Sequence, residues 1–363
     1  MQVSLIHPSE LGESEIAAWH SMQRATPSLD NPYLSPEYAV AVGRFRSGAR
    51  VAVLSEGQSV TGFFPFERRR LGIGVPICGW LTPCQGMIHV PGAEWDPREL
   101  LRGCRMPAWR FDCLLADQKP FMAYHSGVTP SAIIDLSGGF EAYYEKLRLK
   151  SPRFCKEIER RARKLERELG ELRVVADSRD TGVLHKLLAW KSEQYRRTSH
   201  VDRFEQRWLV ELLEDLLATS SDHLTGVLSA LYAGDELVAA QFGLRAGTLL
   251  VGWFTGYDPS LGKYSPGLIH TKGLAEEMAA AGIRSIDMGG GAKNYYKETM
   301  KSHNSYTAQG VVTSPSLLGE WQRVSNAITT TARRTAHEHP NLDSAVDYAL
   351  RLTGISRRIW GRI

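Results

Sequence analysis

The chain has 363 residues, of which 43% are hydrophobic and 23% are charged, so its composition excludes the intrinsically disordered class. This length exceeds what one hydrophobic core usually serves, and we therefore expect two domains. The formal net charge of +4 favours an anionic partner only weakly. No apolar run is long enough to cross a bilayer, and the first residues lack the basic and apolar regions of a signal peptide.

The first part of the chain predicts a mixed α/β domain. Helical patterns begin after Ser9 and at Pro36, and strand-like runs follow in RVAVLSEG, SVTGFFPFERRR and FDCLLAD. The first two of these runs flank EGQ and predict a hairpin. Residues 71–91 are rich in Gly and Pro, which predicts an irregular surface loop.

A second α/β pattern begins near residue 135, where SAIIDL and a Gly-Gly turn precede a helix. RFCKEIERRARKLEREL follows as a basic amphipathic helix that Gly170 ends, with i,i+4 pairs such as Glu157 with Arg161. Residues 224–258 predict three or four antiparallel strands with turns at AGDE and RAGT. The predicted domains are 1–135, 136–312 and a C-terminal helical extension at 313–363.

Five cysteines are widely spaced and include no CxxC pair: Cys78, Cys84, Cys104, Cys113 and Cys155. This pattern is typical of reduced thiols in a cytoplasmic protein rather than of a disulfide framework or a zinc site. The histidines show neither HxxxH nor HExxH spacing, so we expect no metal site.

The helix start at YSPGL combines features that suit an anion. Ser265 is a candidate N-cap, Pro266 suits the first helical position, and Gly267 allows another group to approach the backbone. The free N–H groups and the helix dipole favour negative charge at such a start. A well-capped helix without a ligand has the same pattern, so this stretch alone leaves both interpretations open.

The segment IDMGGGAKNYYKETM carries a second group of candidate residues. Asp287 lies on the strand face opposite its apolar neighbours, and the glycines at 289–291 permit positive φ and close contact with a ligand. Lys297 is a candidate for binding a phosphate or carboxylate as a point charge. The GxxxxGK[ST] spacing of a P-loop is missing. A hairpin turn followed by a solvated lysine accounts for the pattern equally well.

The ordered set WF-GYD, YSPG and D-GGG-YK resembles the C-terminal acetyltransferase-like domain of the CelD/BcsL family, assigned to cellulose or exopolysaccharide biosynthesis within the GNAT superfamily. The resemblance covers residues 140–305 and extends more loosely over the first half. The CelD/BcsL family is also similar in architecture to the Fem aminoacyl-tRNA-dependent peptidyltransferases, in which two such folds lie in tandem. The resemblance implies an α/β protein with tandem GNAT-like folds, built from mixed, mostly antiparallel sheets flanked by helices, with the first fold degenerate.

The resemblance also implies where a donor binds. The fourth strand of the second fold, LLVGWFTGYD, would splay from the fifth, IRSIDMGGG, and acyl-CoA would lie between them with its pyrophosphate at the next helix start. The implied donor-binding residues are Tyr264, Ser265, Pro266, Gly267, Gly289 and Gly290. The chain departs from the superfamily's pyrophosphate loop, R/Q-x-x-G-x-G/A, since YSPGLI has one glycine where that motif has two.

Acyl transfer needs a base, an acid for the leaving group and a bound acceptor. We predict Asp287 as the base and Tyr296 as the proton donor to the leaving thiol, although a structural Asp at a strand end has the same pattern. The resemblance implies that Lys297 faces the donor's phosphate or its acyl group. The predicted acceptor-binding residues are Trp253 and Tyr257, although aromatic residues on a strand usually belong to the core. His200 and Asp202, in a polar cluster between two predicted helices, are the other candidates.

The sequence thus predicts a cytoplasmic acyltransferase that moves an acyl group from acyl-CoA to an amine or hydroxyl of a sugar, polysaccharide precursor or small molecule. It predicts no metal and no stable membrane insertion. One alternative is Fem-like transfer from charged tRNA, which the single glycine, the basic helix and Lys297 favour. The other is a non-catalytic scaffold in exopolysaccharide synthesis, which a cleft without a titratable group would favour.

Overall fold

The computed structural model describes residues 2–198, 200–290, 295–315 and 319. The predicted C-terminal extension lies outside the described residues from position 316 onward, apart from residue 319, and so does Gly291.

The strands, in chain order, are β1 (Gln2–Ile6), β2 (Ala49–Glu56), β3 (Ser59–Arg68), β4 (Gly74–Pro76), β5 (Ile88–His89), β6 (Ala108–Leu115), β7 (His125–Asp135), β8 (Leu172–Ser178), β9 (Thr225–Ala233), β10 (Glu236–Ala246), β11 (Leu249–Tyr257), β12 (Ser285–Gly290) and β13 (His303–Thr313). The α-helices are α1 (Glu13–Ala25), α2 (Pro36–Phe45), α3 (Pro97–Gly103), α4 (Gly139–Lys150), α5 (Pro152–Leu169), α6 (Thr181–Arg197), α7 (Arg207–Ala218), α8 (Pro266–Ala280) and α9 (Tyr295–Met300).

Apart from the two-residue strand β5, both halves of the chain repeat one order of elements: a strand, two helices, three strands, a helix and a strand. The first set is β1, α1, α2, β2, β3, β4, α3 and β6, and the second is β8, α6, α7, β9, β10, β11, α8 and β12. In each set the strand before the last helix pairs in parallel with the strand after it, β4 with β6 and β11 with β12. The remaining pairs within each set are antiparallel. The predicted tandem fold with mixed, mostly antiparallel sheets is confirmed.

The chain divides into two compact units. The described residues of the first lie within Met1–Ala18, Arg46–Val128 and Thr307–Ile363, and those of the second within Trp19–Phe45 and Thr129–Tyr306. The second unit therefore contains an N-terminal segment that the sequence placed with residues 1–135. Within this unit α2 packs against α7, where Arg44 Nη1 donates to both carboxylate oxygens of Asp215 at 2.8 and 2.9 Å.

The sheet of the first unit has the order β1, β2, β3, β4, β6 and residues 307–313 of β13, with β5 beside β3. Its core centres on large aromatic side chains, among them Phe64, Trp109 and Phe121, whose rings lie within 6 Å of a neighbour. These apolar surfaces are removed from water on folding, which is the main term that stabilises the unit.

The predicted surface loop at residues 71–91 is wrong. The segment contains β4 and β5, and several of its side chains are buried, among them Val75, Ile77 and Met87. A buried loop must satisfy its backbone polar groups, and here glutamine side chains do so. Gln118 accepts from Met87 N at 3.0 Å and donates to Met87 O at 2.7 Å.

A second glutamine closes the edge of β6. Gln85 Oε1 accepts from the backbone N–H of Asp112 and of Cys113, at 3.2 and 3.1 Å. The backbone of Gln85 bonds to Cys113 O and Leu115 N as well, both at 2.9 Å. The short β4 pairs with β6 only at Gly74 with Trp109, and this segment occupies the edge of β6 that follows.

The sheet of the second unit has the order β7, β12, β11, β10, β9 and β8. The predicted antiparallel group at residues 224–258 is confirmed as β9, β10 and β11, with Gly234 and Gly247 at positive φ in the two turns. One core cluster combines α4, α8 and β12 around Tyr143, Leu274 and Ile286.

None of the five cysteines, all of which are described, forms a disulfide. Among the described helices, none has the length and apolar character needed to cross a membrane. The described residues contain no group of three or more His, Cys, Asp or Glu side chains arranged to hold a metal ion.

Candidate functional site

Strands β11 and β12 separate partway along their length. They pair at Leu249 with Ser285, Leu250 with Ile286 and Val251 with Asp287, and no later pair forms between them although β11 continues to Tyr257 and β12 to Gly290. A bulge lies at this point of β11, because Phe242 of β10 faces Phe254 while its neighbour Gly243 faces Gly252. Trp253 is the extra residue. Since a bulge bends its strand, β11 turns away from β12 where the pairing ends.

The base of this opening is lined by a residue without a side chain. A Cβ at Gly252 would lie 3.1 Å from Gln241 Nε2 and 3.5 Å from the carbonyl oxygen of Asp287. Gln241 is buried, and its Oε1 accepts from Thr255 Oγ1 at 3.1 Å. Glycine at this position leaves room for a ligand to approach the backbone closely. Sequence reasoning missed Gln241 and Thr255, because their contact next to Gly252 depends on how β10 pairs with β11.

Asp287 lies at the end of the paired part of β12. Its Oδ1 accepts from Ser131 Oγ at 2.5 Å and from Gly289 N at 2.7 Å. Burial raises the pKa of Asp287, while these two hydrogen bonds and the charge of Lys297 act in the opposite direction. Its Oδ2 accepts no hydrogen bond from the described residues. Ser131 comes from β7, and no pattern in the sequence links it to Asp287.

Lys297 binds its own backbone. Its Nζ donates to the carbonyl oxygens of Met288 at 2.7 Å, Gly289 at 3.3 Å and Gly290 at 3.0 Å, so each ammonium hydrogen has an acceptor. Burial lowers the pKa of Lys297, and Asp287 opposes that shift. The lysine thus holds the end of β12 in shape. To bind a donor as predicted, it would have to exchange a carbonyl for the ligand.

The other predicted residues of this segment lie beside Lys297. Gly289 has φ of +78°, which confirms the expected positive φ at this turn, and Gly290 is exposed next to it. Tyr296 is partly buried against the cluster that contains Ile286. Burial raises the pKa of Tyr296, which favours the protonated phenol. A protonated phenol is the form that the predicted proton donor requires.

The start of α8 differs from the prediction in one respect. Ser265 has the left-handed backbone conformation, with φ of 54° and ψ of 55°, and its side chain does not cap the helix. Ser265 thus occupies the predicted N-cap position without a side-chain cap, because its Oγ instead accepts a hydrogen bond from Arg161 of α5. Pro266 occupies the first turn as predicted. Arg161 brings positive charge to this helix start and also forms the predicted pair with Glu157 at 2.6 Å.

Tyr264 and Gly267 flank this turn differently. The Tyr264 side chain is 2% exposed and its hydroxyl donates to Glu168, so only its backbone is available to a ligand. Gly267 is accessible, and a Cβ there would lie 3.7 Å from the ring of Tyr257. Tyr257 itself is 41% exposed at the end of β11. The structure therefore brings Tyr257, Pro266 and Gly267 together.

Trp253, a predicted acceptor-binding residue, packs against other aromatic side chains of the second unit. Its ring lies 5.1 Å from that of Tyr33 and 6.2 Å from that of Tyr38, both in the N-terminal segment Trp19–Phe45. It is partly buried, so one part of the indole still faces the outside.

His200 and Asp202 lie between α6 and α7, as the sequence predicted. Asp202 is buried and accepts from Ser192 Oγ, Arg196 Nη1 and Phe204 N at 3.0–3.1 Å. These bonds make it a carboxylate that shapes the loop. His200 is exposed, and its Nδ1 lies 2.9 Å from Thr198 Oγ1.

Residues 152–298 match a family model described as acetyltransferase (GNAT) domain. The match begins with α5, ends within α9 and includes the opening between β11 and β12. The chain carries a GNAT acetyltransferase domain. This domain makes the protein an acyltransferase. No protein among the curated sequences matches the chain.

Several solved structures are similar to this chain at low sequence identity. FemX superposes with a TM-score of 0.54 and 10% identity, over 85% of this chain and 96% of FemX. A tandem GNAT protein from the clavulanic acid biosynthesis pathway gives 0.49 and 9%, over 87% of this chain and 100% of that chain. The C-terminal domain (DUF2156) of a putative lysylphosphatidylglycerol synthetase from Agrobacterium fabrum gives 0.48 and 12%, over 88% and 96%. At these identities the similarity concerns the fold.

Proposed function

We propose that this GNAT acyltransferase binds acyl-CoA, in the simplest case acetyl-CoA, in the opening between β11 and β12. The observation that carries the proposal is the end of strand pairing after Val251 and Asp287, next to a glycine-lined base. An extended thioester arm can lie against backbone that has no partner strand, because those N–H and C=O groups remain to be satisfied. The pyrophosphate would lie at the start of α8, where the helix dipole and Arg161 both favour negative charge.

The acceptor in this proposal is an amine or hydroxyl of a sugar, a polysaccharide precursor or another small molecule. Its N or O attacks the thioester carbonyl and gives its proton to Asp287, whose Oδ2 accepts no bond from the described residues. The C–S bond then breaks, and the thiolate takes a proton from Tyr296. Both groups lie in the same segment, and burial moves the pKa of each upward.

Isothermal titration calorimetry with acetyl-CoA and CoA tests this proposal. We expect saturable binding to the wild type and weaker binding to Lys297→Ala, because three carbonyls at the end of β12 lose their common donor. Lys146→Ala, an exposed lysine of α4, serves as the matched control and should bind like the wild type. An absence of binding at millimolar ligand would contradict the acyl-CoA proposal.

A second candidate is Fem-like transfer of an aminoacyl group from charged tRNA. It is supported by the similarity of the fold to FemX, by the single glycine in YSPGLI and by the Arg- and Lys-rich surface of α5. Incubation with charged and uncharged tRNA separates the two candidates, since only this one predicts deacylation of the charged form. A scaffold role in exopolysaccharide synthesis is less well supported, because the opening contains titratable groups at Asp287 and Lys297.

A further inference from the structure

A second lysine lies near the opening, on α6. This helix packs on β11: a Cβ at Gly256 would lie 2.9 Å from Leu187 Cδ1 and 3.5 Å from Trp190 Cβ. Lys191 follows Trp190 directly and is half-buried. Its charge contributes, after burial, to lowering the pKa of Lys297.

Lys191 has hydrogens to spare, whereas Lys297 has none. Among the described residues, Lys191 Nζ donates only to Gln194 Oε1 at 2.8 Å, and it lies 5.2 Å from the centre of the Tyr195 ring. No carboxylate of the described residues forms an ion pair with it. Burial lowers the pKa of Lys191. A half-buried ammonium in the field of a second cation is stabilised by an anion, and none of the described carboxylates forms an ion pair with Lys191.

The position of Lys191 separates it from the expected place of the donor's phosphates. Successive residues of a strand point to opposite faces, and here Gly256 faces α6 while Tyr257 faces Gly267 at the start of α8. Lys191 belongs to the face of β11 that α6 covers. We therefore expect an anion bound beside Lys191 to belong to the acceptor and not to the donor.

We propose that Lys191 binds an anionic group of the acceptor, a phosphate or a carboxylate, on the α6 side of the opening. This inference rests on the proposed function, because the anion belongs to an acceptor only if the protein transfers an acyl group to one. It narrows the acceptor to acidic molecules such as sugar phosphates or carboxylated sugars. It also assigns the anion-binding role to Lys191 instead of to Lys297, whose hydrogens are already matched.

Competitive labelling of lysines tests this proposal without knowledge of the substrate. The whole chain is treated with a trace of an amine-acetylating reagent in chloride, inorganic phosphate or acetate of equal ionic strength, and the labelling rate of each lysine is measured by mass spectrometry. We expect phosphate or acetate to slow labelling of Lys191 several-fold, and the arm that protects names the anion. Lys186 is the matched control, because it is an exposed lysine of the same helix. Its ammonium lies over the ring of Trp190, four residues on, just as that of Lys191 lies over the ring of Tyr195. Equal effects of all three anions on both lysines would overturn the proposal.

Calorimetry with acetyl-CoA provides a separate test of the face to which Lys191 belongs. We expect Lys191→Ala and Lys186→Ala to bind acetyl-CoA as the wild type does, since the donor's phosphates are expected at α8. A large loss of acetyl-CoA affinity confined to Lys191→Ala would assign this lysine to the donor and overturn the inference. If acetyl-CoA does not bind at all while phosphate still protects Lys191, the proposed donor fails and the anion site remains.

Discussion

At the scale of single residues, burial raises the pKa of Asp287 and lowers that of Lys297. Spacing in the sequence predicted that Asp287 and Lys297 would lie near one glycine-rich turn, because both belong to one short segment. It did not predict Ser131 as the partner of Asp287 or three carbonyls around Lys297, since those contacts depend on tertiary packing. For the same reason Lys191 was not singled out: nothing in its immediate sequence shows that α6 packs on β11 next to it or that its charge acts on Lys297.

His270 provides a residue-scale prediction of pH dependence. It is fully buried in α8, its Nε2 lies 3.0 Å from Ser229 Oγ, and burial lowers its pKa to about 4. Between the unfolded value of about 6.5 and 4, the unfolded chain binds a proton that the folded chain does not, so stability falls as the pH is lowered through this range. We expect His270→Asn to remove about 2 kcal/mol of the loss between pH 7 and pH 5. Urea unfolding at pH 7 and pH 5 measures it, and equal pH dependence of variant and wild type would contradict it.

At the scale of elements, the two parallel strand pairs differ in what lies beyond the end of their pairing. β11 and β12 separate after three residue pairs and leave an opening, whereas Gln85 and its backbone occupy the edge of β6 beyond β4. Local patterns in the sequence predicted the antiparallel strands at residues 224–258, which are β9, β10 and β11. They did not predict the bulge at Trp253, because it depends on how β10 pairs with β11. The Gly- and Pro-rich composition of residues 71–91 suggested a surface loop, since composition does not reveal that glutamines elsewhere satisfy its backbone.

Replacement of Gln85 tests this closure. Gln85→Ala leaves the N–H groups of Asp112 and Cys113 without their shared acceptor, and we expect a loss of about 3 kcal/mol in the free energy of unfolding. Gln58→Ala, in the exposed turn between β2 and β3, is the control and should change stability by less than about 0.5 kcal/mol. Chemical denaturation of both variants measures the difference. Equal stability of the two would show that Gln85 does not hold this segment.

At the scale of the whole molecule, the second unit draws on distant parts of the chain. Trp19–Phe45 and Thr129–Asp135 both belong to it, and they supply Tyr33 and Tyr38 against Trp253 and the strand that pairs with β12. The sequence placed a boundary near residue 135, where the second run of elements begins. Local patterns reveal where elements start, but they do not reveal that an earlier segment packs with later ones.

This composition of the second unit predicts that its core cannot fold from residue 136 onward alone. A fragment of residues 136–312 lacks β7 as the partner of β12, and it also lacks the aromatic residues that cover Trp253. We expect such a fragment to show no cooperative thermal transition by circular dichroism, while the whole chain shows one. A sharp transition of the fragment would contradict the assignment of Trp19–Phe45 and β7 to this unit.

The most direct test of the acyl-CoA opening fills its base. Acetyl-CoA binding is measured by calorimetry for the wild type, Gly252→Leu and Gly138→Leu, the last placing the same side chain at an exposed position before α4. Circular dichroism confirms that each variant is folded. The proposal predicts that Gly252→Leu abolishes detectable binding while Gly138→Leu binds like the wild type. Unchanged affinity of a folded Gly252→Leu variant would mean that the donor does not lie between β11 and β12.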